Sequence, residues 1–325
     1  MRALDVRHAR LDEEPGEKER GVSPIKGIAL KIAATFVFVV MGVLVKWLGE
    51  TVPTGQVVFA RSFFAFLPLF LFLAWRREFV ASFRVTRPGL HALRVVAGSC
   101  GMLFSFAALI FIPLTDQVAI GYAMPIFAVI FAAFILGEAV RVYRWSAVAV
   151  GLVGVAVILW PHLAAMAARV ADEAATGAAL ALAAAVASAL ATICVRLLTK
   201  TESTGSIIIY FTIGTTILGL LTLPIGWVMP SALEAAALIA VGVLGGCGQI
   251  LHTLSYRHGD ASLIAPFEYA SLLWAVALGF LIFGDAPTVN VLVGAAIVVA
   301  AGLFVIWREH QLGLAREREQ EVAKT

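Results

Sequence analysis

Apolar residues run along the chain in ten blocks separated by short polar or proline-containing breaks. A helix crossing a bilayer needs about 20 mostly apolar residues. The blocks fall at about 25–47, 56–75, 90–111, 116–136, 143–160, 177–198, 206–227, 235–256, 262–283 and 289–307. Pro53, Pro88, Pro113, Pro161, Pro230 and Pro287 punctuate the connections, and proline is a strong local breaker. Links this short make successive helices antiparallel neighbours. The expected fold is therefore all-α: a polytopic membrane protein of ten transmembrane helices.

The pattern repeats. Shifted by 147 positions, Gly98, Cys100 and Gly101 fall on Gly245, Cys247 and Gly248, and Tyr122 falls on Tyr269. In the same register Gly137-Glu138 falls on Gly284-Asp285 and Trp160 on Trp307. With an offset of 150, Gly27, Leu30, Ala33 and Ala34 meet Gly177, Leu180, Ala183 and Ala184, and Lys46 meets Arg196. The unit is thus five helices used twice. Five is odd, so the second copy enters the membrane inverted, a recurring construction of secondary transporters with the binding site between the repeats. The expected organisation is a disordered cytoplasmic tail (1–24), a first repeat (25–162), a periplasmic linker (163–176), a second repeat (177–307) and a polar cytoplasmic tail (308–325).

Basic residues set the orientation. Arg76, Arg77, Arg84, Arg87, Arg141, Arg144, Arg196, Lys200 and Arg257 follow the even-numbered helices, whereas Lys46 and Arg169 occupy the alternate loops. That distribution puts both termini in the cytoplasm and the protein in the inner membrane.

Composition sharpens this picture. Of 325 residues, 61% are hydrophobic and 14% charged, with mean hydropathy +0.95, whereas soluble domains are near half apolar and a quarter charged. The net charge of +3 comes without a basic stripe, so no nucleic-acid partner is expected. Cys100, Cys194 and Cys247 lie far apart in apolar runs, which suggests neither a disulfide framework nor a metal site. No cofactor is expected. The partners are a small-molecule substrate, lipid and protons, in a monomer or homodimer.

Three stretches carry a family resemblance: FARSFFAF in the second helix, GEAVRVYRWSAVAVGLVGVAVILWP after the fourth, and APFEYASLLWAVALGFLIFGDAPTVNVLVGAAIVVAAGLFVIWRE in the second half. Together they resemble the EamA family of the drug/metabolite transporter superfamily, over about residues 25–308. The resemblance implies 5+5 inverted repeats, cytoplasmic termini, a central cavity and alternating access for small metabolites. The APF-x-Y motif is similar to that of permeases for S-adenosylmethionine or riboflavin. Asp285 stands where the family often has Glu, and Glu138 keeps the usual residue.

Charges inside a membrane need a partner or a watered cavity. Glu268 lies about six residues into the ninth block, roughly 9 Å along the helix at 1.5 Å per residue. It reads as a cavity carboxylate for a cationic group or a proton, or as a structural acid paired with Arg257 or His258. Gln249, His252 and Tyr256 share one face of the eighth helix, as a ligand stripe or as interhelical hydrogen bonds. Tyr122 and Tyr269 suit stacking on a planar solute, or packing between repeats. Trp274 lies on another part of the ninth helix.

Arg61 is placed to meet a substrate carboxylate or to snorkel outward, and Arg94 reads as part of the cytoplasmic basic cluster. Lys46 is a candidate gate charge at the outer mouth, and Pro125 a kink in the fourth helix. Gly98, Gly101, Gly242, Gly245, Gly246 and Gly248 line the third and eighth helices. Gly242-x-x-x-Gly246 is a small-xxx-small pattern that permits close approach. The tryptophans near helix ends read as interfacial anchors.

These features favour a secondary transporter of a small polar metabolite: amino-acid-, nucleoside/S-adenosylmethionine- or vitamin-like. The alternatives are a facilitative channel or an exporter of drugs or toxic metabolites, and, behind them, a membrane-embedded enzyme. No H-E-x-x-H, G-x-S-x-G or Walker A motif is present, so the catalytic reading lacks a nucleophile or metal set.

Overall fold

The computed structural model describes residues 24–76, 83, 85–137, 142–167, 173–198, 201–255 and 265–322. In lipid every backbone N–H and C=O must find its partner within the protein, and the described residues answer this with helices. They are α1 (Pro24–Leu48), α2 (Thr54–Phe64), α3 (Phe66–Arg76), α4 (Pro88–Phe111), α5 (Leu114–Gly121), α6 (Ala123–Leu136), α7 (Val142–Ala167) and α8 (Glu173–Leu198). They continue as α9 (Thr204–Leu220), α10 (Ala232–Ser255), α11 (Ala270–Leu278) and α12 (Val289–Val322). A 3-10 turn (Ala265–Tyr269) and a π turn (Gly279–Phe283) flank α11. Among the described residues eight helical stretches are long and apolar enough to cross a membrane, and two shorter apolar ones cover Trp145–Pro161 and Phe267–Phe283.

Where the chain departs from ideal helix, the sequence supplies the reason. A proline lacks the N–H for the carbonyl four residues earlier, and its ring crowds that carbonyl. The second span accordingly breaks at Ala65, three residues before Pro68, and the fourth at Tyr122, three before Pro125. Gly137 ends α6 and Gly284 ends the π turn, both left-handed with φ of 64° and 72°. Side chains disfavour this conformation and glycine does not. The start of α10 carries a capping box: Ser231 N–H donates to Glu234 at 2.7 Å, and Glu234 N–H donates to the Ser231 hydroxyl at 3.3 Å.

Several sequence expectations shift at the edges. The fifth block does not stop at Trp160: α7 continues through Pro161 to Ala167. One missing N–H leaves a single carbonyl, that of Val157, without its helical donor, and the apolar run after it keeps the helix going. The seventh block, expected to reach Trp227, leaves α-helix at Leu220, and a 3-10 turn at Leu223–Ile225 contains Pro224. The polar tail after Arg308 extends α12 to Val322. The tail 1–23, and residues 168–172 of the expected linker, lie outside the described residues, as do Glu138, Arg257 and Tyr256.

The closest helix pairs join the first half of the chain to the second: α4 with α8, α7 with α12, α1 with α10. Small residues make these approaches. A Cβ on Gly154 would lie 2.8 Å from the Gly294 carbonyl, and one on Gly294 2.6 Å from the Gly154 carbonyl. Gly101 abuts Ser188, and Gly242 and Gly246 abut Ala60, Phe64, Ala65 and Pro68 of the second span. The α10 glycine stripe thus seats the α2–α3 break, the close packing expected of small-xxx-small patterns. Gly245 faces Arg61 and Met41, Gly248 faces Phe38, and Gly98 faces Arg94 and Phe211. Outward, Phe134, Leu67, Leu71, Leu273 and Leu281 are exposed, as are Trp75, Trp160 and Trp307 near the ends of the apolar stretches, a surface suited to lipid.

At one end of the bundle Glu202 ties two helix starts together. Its carboxylate accepts the N–H groups of Thr86 and Arg87 at 2.7 and 2.9 Å, just ahead of α4, and lies 3.7 Å from His91. Burial pushes the Glu202 carboxyl up, but the two N–H bonds and His91 outweigh it and hold the carboxyl below its ordinary value. A depressed carboxyl stabilises the fold above its unfolded pKa, and that contribution fades as pH falls through the folded one. Thermal unfolding of Glu202→Gln should therefore fall below wild type at neutral pH and converge with it below the ordinary glutamate range. A gap unchanged at low pH would contradict this.

Candidate functional site

A cavity of about 720 Å3 opens between the halves, bounded by α1, α4, α5, α6, α7, α12 and the turn ahead of α11. It reaches from Leu114 and Gln117, near the Lys46 end, to Val305 and Ile306 towards the other end. Most of its wall is apolar. Its polar groups gather at Glu268, His252, Tyr122, Tyr269 and the Ser105–Gln117 pair, in which Gln117 donates at 2.7 Å.

Glu268 is held from the opposite half of the chain. Lys31 of α1, 0% exposed, is ion-paired to the Glu268 carboxylate and lies 3.0 Å from His252 Nδ1. The Glu268 side chain is 43% exposed, so one face of the pair meets the cavity. Arg257 and His258 were the sequence-based partners for Glu268, and both lie outside the described residues. Among the described residues Glu268 pairs with Lys31, 237 positions away. Sequence reading missed Lys31, although the signal was there: a lysine in the interior of the first apolar block, unlike Lys26 and Lys46 at its ends, with Ala181 opposite it in the repeat register.

The two repeat-matched tyrosines meet. Their ring centroids are 5.1 Å apart at 81°, and the Tyr122 hydroxyl donates to the Tyr269 carbonyl at 3.2 Å and pairs with Ser271 Oγ at 2.8 Å. Both stand where a helix is interrupted, Tyr122 between α5 and α6 and Tyr269 between the 3-10 turn and α11. The interruption frees backbone carbonyls near the cavity, which is why a phenol can bond there. Tyr269 also needs Gly302: a Cβ there would collide with its hydroxyl. Pro125 lines the same cavity.

Other expected residues are distributed differently. Gln249 lines a second cavity of about 490 Å3 beside the first, with Arg61 and Arg94, and His252 and Thr192 border both. The α10 face is therefore divided between two spaces. Trp274 packs in a T-shape against Phe36 at 5.4 Å and is not among the residues lining either cavity. Lys46 lies at the end of α1, bonded to Asp285 at 2.8 Å and the Ile112 carbonyl at 3.3 Å, with the Phe283 ring 4.9 Å away. Thr51 bonds Glu234, and Gln56 donates to the Val228 carbonyl at 2.9 Å, at the same end. All of these contacts but the Lys46–Ile112 bond join the two halves.

A multi-pass helical membrane protein with an apolar-walled, partly polar cavity between its halves is of the class that moves small solutes. The chain belongs to the EamA-like transporter family, whose model matches residues 25–160 and 175–307. It is a small-metabolite transporter of that family. Among its relatives, a riboflavin transporter of Rhizobium johnstonii is 29% identical over 318 residues, covering 97% of this chain and 99% of that one. A pseudopaline exporter of Pseudomonas aeruginosa is 30% identical over 280 residues, covering 85% and 94%. An S-adenosylmethionine uptake transporter of Rickettsia prowazekii is 27% identical over 290 residues, covering 86% and 91%. A crystal structure 19% identical in sequence superposes with a TM-score of 0.60 over 89% of this chain and 99% of that chain, a likeness of fold alone.

Proposed function

We propose that this protein carries a small polar metabolite across a bacterial inner membrane by alternating access, with Lys31, Glu268 and His252 as the coupling site. The carrying observation is the ion pair of buried Lys31 with Glu268, made between the halves and open on its Glu268 side to the 720 Å3 cavity. A carboxylate so placed exchanges lysine for a proton or for a cationic group of the solute. Either event loosens a contact that joins the two halves, and this links binding to a change of shape. Tyr122 and Tyr269 offer aromatic faces and a hydroxyl to a planar part of the solute.

In this reading the ten blocks are ten spans in two inverted repeats. The meeting of Tyr122 with Tyr269, and the matched helix ends at Gly137 and Gly284, support that symmetry. The Lys46–Asp285 end is the outer one, closed here, and both termini are cytoplasmic, in keeping with the arginine distribution. The relatives' names supply the solutes to try: riboflavin, S-adenosylmethionine and pseudopaline.

The test is counterflow in proteoliposomes with labelled riboflavin, S-adenosylmethionine and a panel of amino acids. Protein-dependent exchange that saturates, and net uptake that responds to an imposed pH difference, are the expected results. Flux that stays linear in concentration would make the protein a channel and remove the reading.

A further inference from the structure

The second cavity, about 490 Å3 between the second span, α4, α8, α9 and α10, has an electrostatic character opposite to the first. Arg61 enters it from α2 and Arg94 from α4, within electrostatic reach of each other. Arg61 is 8% exposed, and the Nε of each arginine is buried without a hydrogen-bond partner. Among the described residues neither guanidinium makes a hydrogen bond or an ion pair, and no Asp or Glu lines the cavity. Arg94 lies over the Phe211 ring at 3.8 Å, which fixes its plane without neutralising its charge.

Guanidinium stays charged, and a charge inside a membrane protein demands a counter-charge or water. The lysines of the first span meet that demand within the chain, buried Lys31 with Glu268 and partly buried Lys46 with Asp285. The two arginines do not. Their planar forks match the oxygens of carboxylate and phosphate. Gln249, on the same wall, adds an uncharged polar side chain.

We propose that Arg61 and Arg94 form an oxyanion site, which holds the carboxylate or phosphate of the transported solute while the rest of that solute lies in the larger cavity. His252 and Thr192 border both spaces, so one molecule passing between them contacts both. The solute is then a metabolite bearing an anionic group at one end and a cationic or neutral polar part at the other. The involvement of a solute rests on the transport reading above; the existence of the oxyanion site does not.

The two claims are tested separately. Purified wild-type protein is treated with phenylglyoxal, and modification of Arg61 and Arg94 is followed by peptide mass spectrometry in sulfate or in chloride of equal ionic strength. With sulfate at about ten times its dissociation constant, modification of both residues should slow about tenfold. Equal rates in the two salts would overturn the site. Sulfate should also raise the melting temperature of wild type more than chloride does. That difference should persist in Arg61→Lys and vanish in Arg61→Gln and Arg94→Gln, and its persistence in the glutamine variants would count equally against the site. For the solute, sulfate should inhibit counterflow competitively. Sulfate protection with counterflow untouched would overturn the assignment to the transported molecule while leaving the transport reading intact.

Discussion

Glu268→Gln should abolish uptake driven by a pH difference and leave counterflow measurable. The amide matches the carboxylate in size and still accepts a bond from Lys31, so the halves remain joined. It cannot release or take up a proton, so a step that needs the contact to break on protonation stops. Counterflow needs only the return of a loaded carrier, and it survives. Glu268→Ala is a harsher change. It leaves the fully buried Lys31 ammonium without its carboxylate, and breaking a buried pair from one side costs about 3–5 kcal/mol. The lower end applies, because Glu268 is itself partly open to water. Lys31→Met with Glu268→Gln should recover most of that stability and none of the pH response. Equal loss of pH-driven uptake and counterflow in Glu268→Gln would assign the residue to solute binding alone. No loss of either would remove it from the mechanism.

The second large effect is expected at the opposite end of the cavity. In the proposed reading Lys46 and Asp285 close it with one partly exposed ion pair, at 19% and 26% side-chain exposure. Losing such a pair costs about 1–2 kcal/mol, between the exposed and buried cases. That shifts the closed-to-open ratio by roughly 5–30-fold. Leu114 lines the cavity just inside this closure and is buried. In a background with Cys100, Cys194 and Cys247 replaced by serine, Leu114→Cys should react slowly with a membrane-impermeant maleimide added from the Lys46 side. Asp285→Asn should speed the reaction by about that factor, and the exchange Lys46→Asp with Asp285→Lys should slow it again. An unchanged rate in Asp285→Asn would mean that the pair does not close the cavity.

The helical class was readable because lipid leaves few options: long apolar blocks with breakers between them become helices. The breaks at Ala65 and Tyr122 were half readable. Pro125 was recognised as a kink, but Pro68 acts in the same way and went unremarked within its apolar run. Lys46 was legible as a candidate gate because it stands at the end of a block. Lys31 was not, since a single buried cation in an apolar run reads as an exception until its partner appears, and that partner is 237 residues away. Helical spacing grouped Gln249 with His252, yet the face they share straddles two cavities. Spacing along one helix reports which way a side chain leaves the axis, not where the neighbouring helices divide the space beyond it.

The contact between Gly154 and Gly294 brings two backbones together, with the side chains of Ile158, Ile297 and Val298 closing round it. Sliding α7 along α12 by about one turn would press Ile158 or Val298, which share a face with the two glycines and already abut the contact, into the space that the missing side chains leave. Rotation about the crossing point meets no such obstacle. The glycine pair therefore works as a fulcrum, permitting the two helices to scissor and forbidding them to shear.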